Sequence, residues 1–307
     1  MRDNRPSTTA EIVCFFRAAD RYKPSERRVL DDAYAESFLS MPFRAALKSA
    51  AFAPAIIDRL ELLAPGIGTY VLTRHRAIDD AVIQALPDVD QIVLLGAGYD
   101  SRAYRLPVGD RPIFEVDHPA TSRRKAEIIE RASRSRARSR AFRTDGREAA
   151  TWPERDVRRV TVDFARESIS ERLRARGFDS TKPTFFVWEG VSMYLTRAAI
   201  VSTLSTIHAL SAPRSSLAMD FWFLIDSPDA TSTLHRMATG LVHLLGEPFT
   251  FALHPDDARA FMSRANFEVS QLTLAAELEV KYVPDSRKVY PTTYVIVAHP
   301  IGSPRVS

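Results

Sequence analysis

Gly96-Ala97-Gly98, Glu115-Val116-Asp117, Asp163-Phe164 and Glu189-Gly190 stand at the ends of four short apolar runs in the middle of the chain. Glycine tolerates positive φ and has no Cβ, so Gly96 and Gly98 can form a tight turn that brings backbone close to a ligand. Asp117 lies 19 residues past Gly98, where the two oxygens of one carboxylate can accept both hydroxyls of a ribose. Asp163 can accept from an adenine amino group, and Phe164 can offer its ring face to the base. Each residue has a plainer reading alone, as a turn glycine or a helix N-cap, with Asp100 or Ser101 capping the helix after the glycines. Four consecutive run ends with fitting chemistry favour an adenosine. Ser101 occupies the position where the dinucleotide fingerprint needs a third glycine, which disfavours a nicotinamide or flavin.

Positioning such residues requires parallel strands that end on one side of a sheet. Apolar runs at Gln91 to Leu95, Pro112 to Val116, Arg158 to Val162, Thr184 to Trp188 and Ser216 to Asp220 alternate with helical patterns at Thr121 to Arg131, Glu167 to Arg176 and Arg197 to Leu210. That alternation predicts a mostly parallel α/β sheet covered on both faces. Ahead of it, helices are expected at Thr9 to Ala19, Glu26 to Leu39, Phe43 to Phe52, Ala55 to Leu63 and Gly68 to Leu86, punctuated by Pro24, Pro42, Pro54 and Pro65. Residues 1–90 are thus expected as a helical cap and 91–307 as the core. A helical insert is expected over about 221–265, followed by strands at Glu268 to Leu274 and Tyr290 to Ala298 paired antiparallel.

The 307 residues, 45% hydrophobic and 26% charged, suit a globular protein with a sizeable core. A lone Cys14 excludes an intrachain disulfide framework or a multi-cysteine zinc site, and no Cys/His/acid spacing suggests a catalytic metal, so no metal is expected. The first residues carry too short an apolar patch for a leader and no run could span a bilayer, so a cytoplasmic setting without membrane contact is expected. The net charge of +4 is concentrated in Ser122 to Glu148, with Arg131, Arg134, Arg136, Arg138 and Arg140. Lacking interleaved aromatics and broken by acids, this run reads as a solvated helix face rather than a nucleic-acid surface.

The stretches "VLLGAGYDSRAYRL", "FEVDHP", "VTVDF" and "WEGVSMYL", in this order and spacing, resemble the leucine carboxyl methyltransferase family of S-adenosylmethionine-dependent O-methyltransferases, including its bacterial and polyketide-type members. "RAADRYKPSERRVLDDAYAESFL" resembles the family's N-terminal segment, with Asp32-Ala33 where Asp-Pro is usual, and "LTRHRAIDDAV" its arginine-bearing helix. The resemblance implies a class I methyltransferase, Rossmann-like fold and S-adenosyl-L-methionine as cofactor. Carried over residue by residue, it places Arg74 on the methionine carboxylate and Arg17 near a second basic position. Gly96, Ala97 and Gly98 would face the methionine part, Asp117 the ribose, Asp163 and Phe164 the adenine, and Glu189 the methionine amino group.

Methyl transfer from an activated donor needs alignment and exclusion of water more than acid–base machinery. A carboxylate acceptor arrives ionised, whereas a phenol needs a base, for which His118 is the candidate. The family leans to carboxylates. Phe221, Trp222, Phe223, Phe249 and Phe251 could wall an apolar small-molecule acceptor. A hydroxyl methyltransferase, a tRNA-modifying methyltransferase and a non-catalytic adenosine-binding module are the competing readings.

Overall fold

The computed structural model describes residues 8–48, 65–138, 152–164, 166–223 and 250–302. Parallel strands β1 (Gln91–Leu95), β2 (Ile113–Asp117), β3 (Val157–Thr161), β4 (Thr184–Trp188) and β5 (Ser216–Trp222) lie beside β6 (Phe267–Leu274) and β7 (Thr293–Pro300) in one sheet of order β3-β2-β1-β4-β5-β7-β6. Pairing is parallel from β3 through β5, and β7 runs antiparallel to both β5 and β6. Order reverses at β1, so its carboxyl end opens onto the crevice where such sheets bind ligands. β1, β2, β4 and β5 are buried at every position, which explains their unbroken apolar sequences. The edge strand β6 instead alternates buried and exposed residues, as one covered face demands.

The N-terminal part contributes helices α1 (Thr8–Asp20), α2 (Ala35–Phe38), α3 (Met41–Lys48) and α4 (Ile67–Ala85). Cys14, Phe15, Phe38 and Leu47 share one apolar cluster with Ile92, Leu94 and Val187 of the sheet. Each buried side chain of this kind contributes about 1.5–3 kcal/mol relative to exposure. Between strands come α5 (Arg102–Arg105), α6 (Pro119–Arg138), α7 (Ile169–Ala175) and α8 (Arg197–Ala209), and towards the end α9 (Pro255–Arg264) and α10 (Ala275–Tyr282).

The expected helix over Glu26 to Leu39 is not formed. Only a 3-10 turn at Ser25–Arg27 and the short α2 remain, because side chains compete for the backbone donors a helix would use. Asp20 Oδ2 accepts from the amides of Val29 and Leu30, and Asp32 Oδ1 from those of Tyr34 and Ala35. The helix expected at Phe43 to Phe52 is described only as α3, and the one at Ala55 to Leu63 lies outside the described residues, as does most of the expected insert. β6 and β7 pair antiparallel, with α10 between them rather than a tight hairpin turn.

Candidate functional site

At the end of β1 the chain turns through Gly96 and Gly98 with φ of +67° and +43°. A Cβ on Gly96 would sit 2.6 Å from Val191 Cγ2, so this position accepts only glycine beside the loop that follows β4. The neighbouring Ala97 is buried in the apolar core, leaving its backbone as the part that can face a ligand. Over Gly98 lies α1, with Ala10 Cβ in ordinary contact distance. Arg17 on the same helix donates to Tyr99 O at 2.6 Å and to Asp32 Oδ2 at 2.8 Å, and its buried Nε has no partner among the described residues.

Asp117 ends β2, 8% exposed. Its Oδ2 accepts from the Gly98 amide at 2.5 Å and its Oδ1 from the His118 amide at 2.6 Å. Burial raises its carboxyl above the usual range, outweighing the two amides that lower it. Glu115, two residues earlier, is instead spent on a buried ion pair with Lys125 at 2.8 Å, which anchors α6. His118 Nδ1 accepts from the Ala120 amide at 3.2 Å in the first turn of α6. Past β3, Val162 N–H donates to Asp117 O at 3.0 Å, which carries Asp163 and Phe164 to the same side. The Asp163 amide is held by Glu167 at 2.8 Å, and the Phe164 residue is 51% exposed.

Arg74 and Glu189, assigned to opposite ends of an amino acid, are brought together. Arg74 Nε donates to Glu189 Oε1 at 2.9 Å, and Arg74 Nη1 to Asp220 Oδ2 at 3.0 Å. Asp220, fully buried at β5, also accepts from Tyr70 Oη at 3.0 Å and, through Oδ1, from the Gly190 amide at 2.6 Å. Arg102 Nη1 approaches Glu189 Oε2 at 2.7 Å and Asp100 Oδ2 at 2.6 Å, while its Nε reaches Asp79 at 2.8 Å. Burial alone would raise the Glu189 carboxyl, but Arg102, His75 and Arg74 hold it well below the usual range. His75, Asp79, Arg102 and Asp220 carried no role in the sequence reading, and Asp100 only that of a helix cap. The four-residue spacing of His75 and Asp79 on one helical face was the available signal.

Within this connected set, Arg17, Arg74, Arg102 and Arg105 stand against Asp32, Asp79, Asp100, Glu189 and Asp220, leaving one carboxylate in excess. A ligand of net charge +1 complements that excess. S-adenosylmethionine, with an ammonium, a sulfonium and a carboxylate, has that charge, and the unpartnered Arg17 Nε is a donor suited to a carboxylate. The chain's residues therefore fit this group. Among the described residues, no cluster of three or more His, Cys, Asp or Glu is placed to hold a metal ion, and no helix is long and apolar enough to cross a membrane.

Elsewhere the expectations separate. Phe221, Trp222 and Phe251 are buried core residues, Phe223 is half-buried, and Phe249 lies outside the described residues. The arginine run is helical through Arg138, with Arg134 on the exposed surface paired to Glu130. An open groove of about 780 Å3 between α6 and the β3 edge, lined by Arg123, Arg158, Arg159 and Arg176, shares no residue with the strand-end constellation.

Comparison with known proteins gives the chain a lineage. The family model "Leucine carboxyl methyltransferase" matches residues 10–208. A protein of Streptomyces coelicolor, provisionally named an S-adenosyl-L-methionine-dependent methyltransferase, is 31% identical over 83% of this chain and 80% of its own length. A Mycolicibacterium paratuberculosis protein with the same provisional name is 35% identical over 73% of this chain and 68% of its own. Among solved structures, a DUF574 family protein from Streptomyces avermitilis matches with a TM-score of 0.57 at 14% identity, covering 92% of this chain and 99% of that one. At that identity it establishes the α/β fold alone. The chain belongs to the leucine carboxyl methyltransferase family and is an S-adenosylmethionine-dependent methyltransferase.

Proposed function

We propose that the chain methylates a carboxylate oxygen of an apolar small-molecule acid, the polyketide-type acid being the class the family resemblance favours. Arg74 pairs with the methionine carboxylate, with Arg17 Nε as a second donor. Backbone at Gly96, Ala97 and Gly98 borders the methionine part, and Glu189 takes the amino group. Asp117 accepts from the ribose, and Asp163 and Phe164 receive the adenine. Bound there, S-adenosylmethionine supplies a methyl group already activated towards displacement. The chain has to hold the acceptor oxygen in line with it and keep water away.

One observation carries the choice of acceptor. His118 Nδ1 accepts the Ala120 amide, so the neutral ring bears its proton on Nε2, which is then a donor and not a base. His75, the other histidine at the strand ends, is engaged by Glu189 at 3.0 Å. A carboxylate needs neither, because it is ionised well below neutrality. An apolar acceptor is supported by Phe223, the half-buried member of the expected aromatic wall among the described residues.

The test is single-turnover transfer of a labelled methyl group to a panel of carboxylic acids from about pH 6 to 9. A nearly flat rate, a base-labile ester product and most of the rate retained in His118→Asn, whose amide can still cap α6, are expected. A rate that climbs with pH and falls about 10²- to 10⁴-fold in His118→Asn would instead identify a hydroxyl acceptor with His118 as its base.

A further inference from the structure

Arg102 lies two residues beyond the first turn of the glycine loop and is 2% exposed. Its guanidinium joins three elements. Nε donates to Asp79 Oδ1 on α4 at 2.8 Å, and Nη1 reaches Asp100 Oδ2 in the glycine turn at 2.6 Å and Glu189 Oε2 after β4 at 2.7 Å. Nη2 donates to His75 O at 3.0 Å and lies 3.0 Å from His75 Nδ1. Nδ1 thus faces both a donor, Nη2, and an acceptor, Glu189; Nη2 is satisfied at His75 O, and the Arg17 donor at Nε2 selects the tautomer. Nδ1–H donates to Glu189 Oε2 at 3.0 Å, and Nε2 faces Arg17 Nη1 at 3.5 Å as acceptor.

We propose that Arg102 is a positioning residue for cofactor binding, fixing the Glu189 carboxylate from the side opposite Arg74 and holding His75 in place through its carbonyl. This rests on the reading that Glu189 meets the cofactor's amino group. The charged groups facing His75 are Arg17 on α1, Asp32 beyond it, Asp79 on its own helix, Asp100 and Arg102 from the glycine turn, and Glu189 after β4. Burial first and Arg102 second push the imidazole towards the neutral form, against Glu189 and Asp79. Arg102 is also the largest of the charges that keep Glu189 ionised. Removing the guanidinium therefore acts in both directions at once. His75 takes a proton more readily, and that proton supplies Glu189 with a substitute cation.

The readout is calorimetric affinity for S-adenosylhomocysteine at pH 8 and pH 6, with circular dichroism confirming folding. Wild type should vary by less than about threefold between the two. Arg102→Met should lose roughly tenfold or more at pH 8 and regain several-fold at pH 6, and Arg102→Met/His75→Gln should show no regain. Arg102→Lys should not restore wild-type affinity, because one ammonium cannot serve four divergent acceptors. Equal affinity of Arg102→Met and wild type at both pH values overturns the proposal, as does a loss identical at both pH values with and without His75. Should Arg102→Met fail to fold, imidazole nitrogen NMR of the wild type decides: His75 neutral at pH 6 supports the proposal, and His75 protonated there overturns it. Glu189→Gln separates the levels. If it binds like wild type, the assignment of Glu189 falls and the proposal with it; if it binds weakly while Arg102→Met is unaffected, only the positioning role falls.

Discussion

The two ends of the proposed cofactor strip are built in opposite ways. At the methionine end Arg74, Arg102 and Asp220 are buried, Glu189 is half-buried, and the four are mutually paired before any ligand arrives. At the adenosine end the Phe164 residue stands 51% exposed, and Asp117 is held by two backbone amides with no cationic side chain among the described residues pairing to it. The difference follows from cost. A buried charge without a partner is prohibitive, so an ionic subsite has to be complete in the free protein. An exposed ring costs little, so an aromatic subsite can wait for its base. Charge is preorganised here, and stacking surface is left open.

Breaking the paired end should have the largest effect. Arg74→Ala leaves Asp220 in the interior with only the Tyr70 hydroxyl and the Gly190 amide, while Glu189 keeps Arg102 and His75, and about 3–5 kcal/mol of unfolding free energy should be lost, read by urea denaturation. At the open end, Asp117→Ala should weaken S-adenosylhomocysteine binding by about 1.5–3 kcal/mol, roughly 10- to 150-fold. Asp110→Ala, on an exposed loop, should change that affinity little. Equal effects of these two substitutions would break the contrast.

Acid should distinguish the paired end by its pH window. His75 has its folded value lowered from an ordinary 6.5, so the unfolded chain binds the proton first and stability falls as pH drops from about 7 towards 5. Glu189 has its value lowered from 4.5, and its stabilisation, present above that value, is lost in a second fall at lower pH. The slope from one such group approaches about 1.4 kcal/mol per pH unit. Urea denaturation across pH should show the upper slope shrinking in His75→Gln with the lower one intact. Smallest of all, Phe164→Ala should cost about 1 kcal/mol of ligand binding and leave stability within about 0.5 kcal/mol, checked by calorimetry and thermal melting.

Legibility in the sequence followed the same division. β1 and β4 run from Gln91 to Leu95 and from Thr184 to Trp188 as their apolar runs predict. β2 and the edge strand β3 are each displaced by one residue, at Ile113–Asp117, where the strand runs on into its site aspartate, and at Val157–Thr161, where Arg158 and Arg159 blur the pattern. The strand-end residues could be found because parallel strands place their carboxyl ends together whatever their spacing. The ionic network could not, since Tyr70, Arg74, Glu189 and Asp220 meet across as many as 150 positions. Asp20 and Asp32 misled for a related reason: their side chains look like ordinary helix polar residues until the amides they capture are seen.

The most direct test of the division compares two ligands that share an adenosine thioether and differ in the amino acid end. Titrated by calorimetry at pH 7.5, S-adenosylhomocysteine should bind at least about 100-fold more tightly than 5′-methylthioadenosine, a gap of about 2.7 kcal/mol, because the ammonium and carboxylate meet a network already set to receive them. Equal affinities, or tighter binding of methylthioadenosine, would mean that the buried arginines and carboxylates stabilise the fold without reading the cofactor.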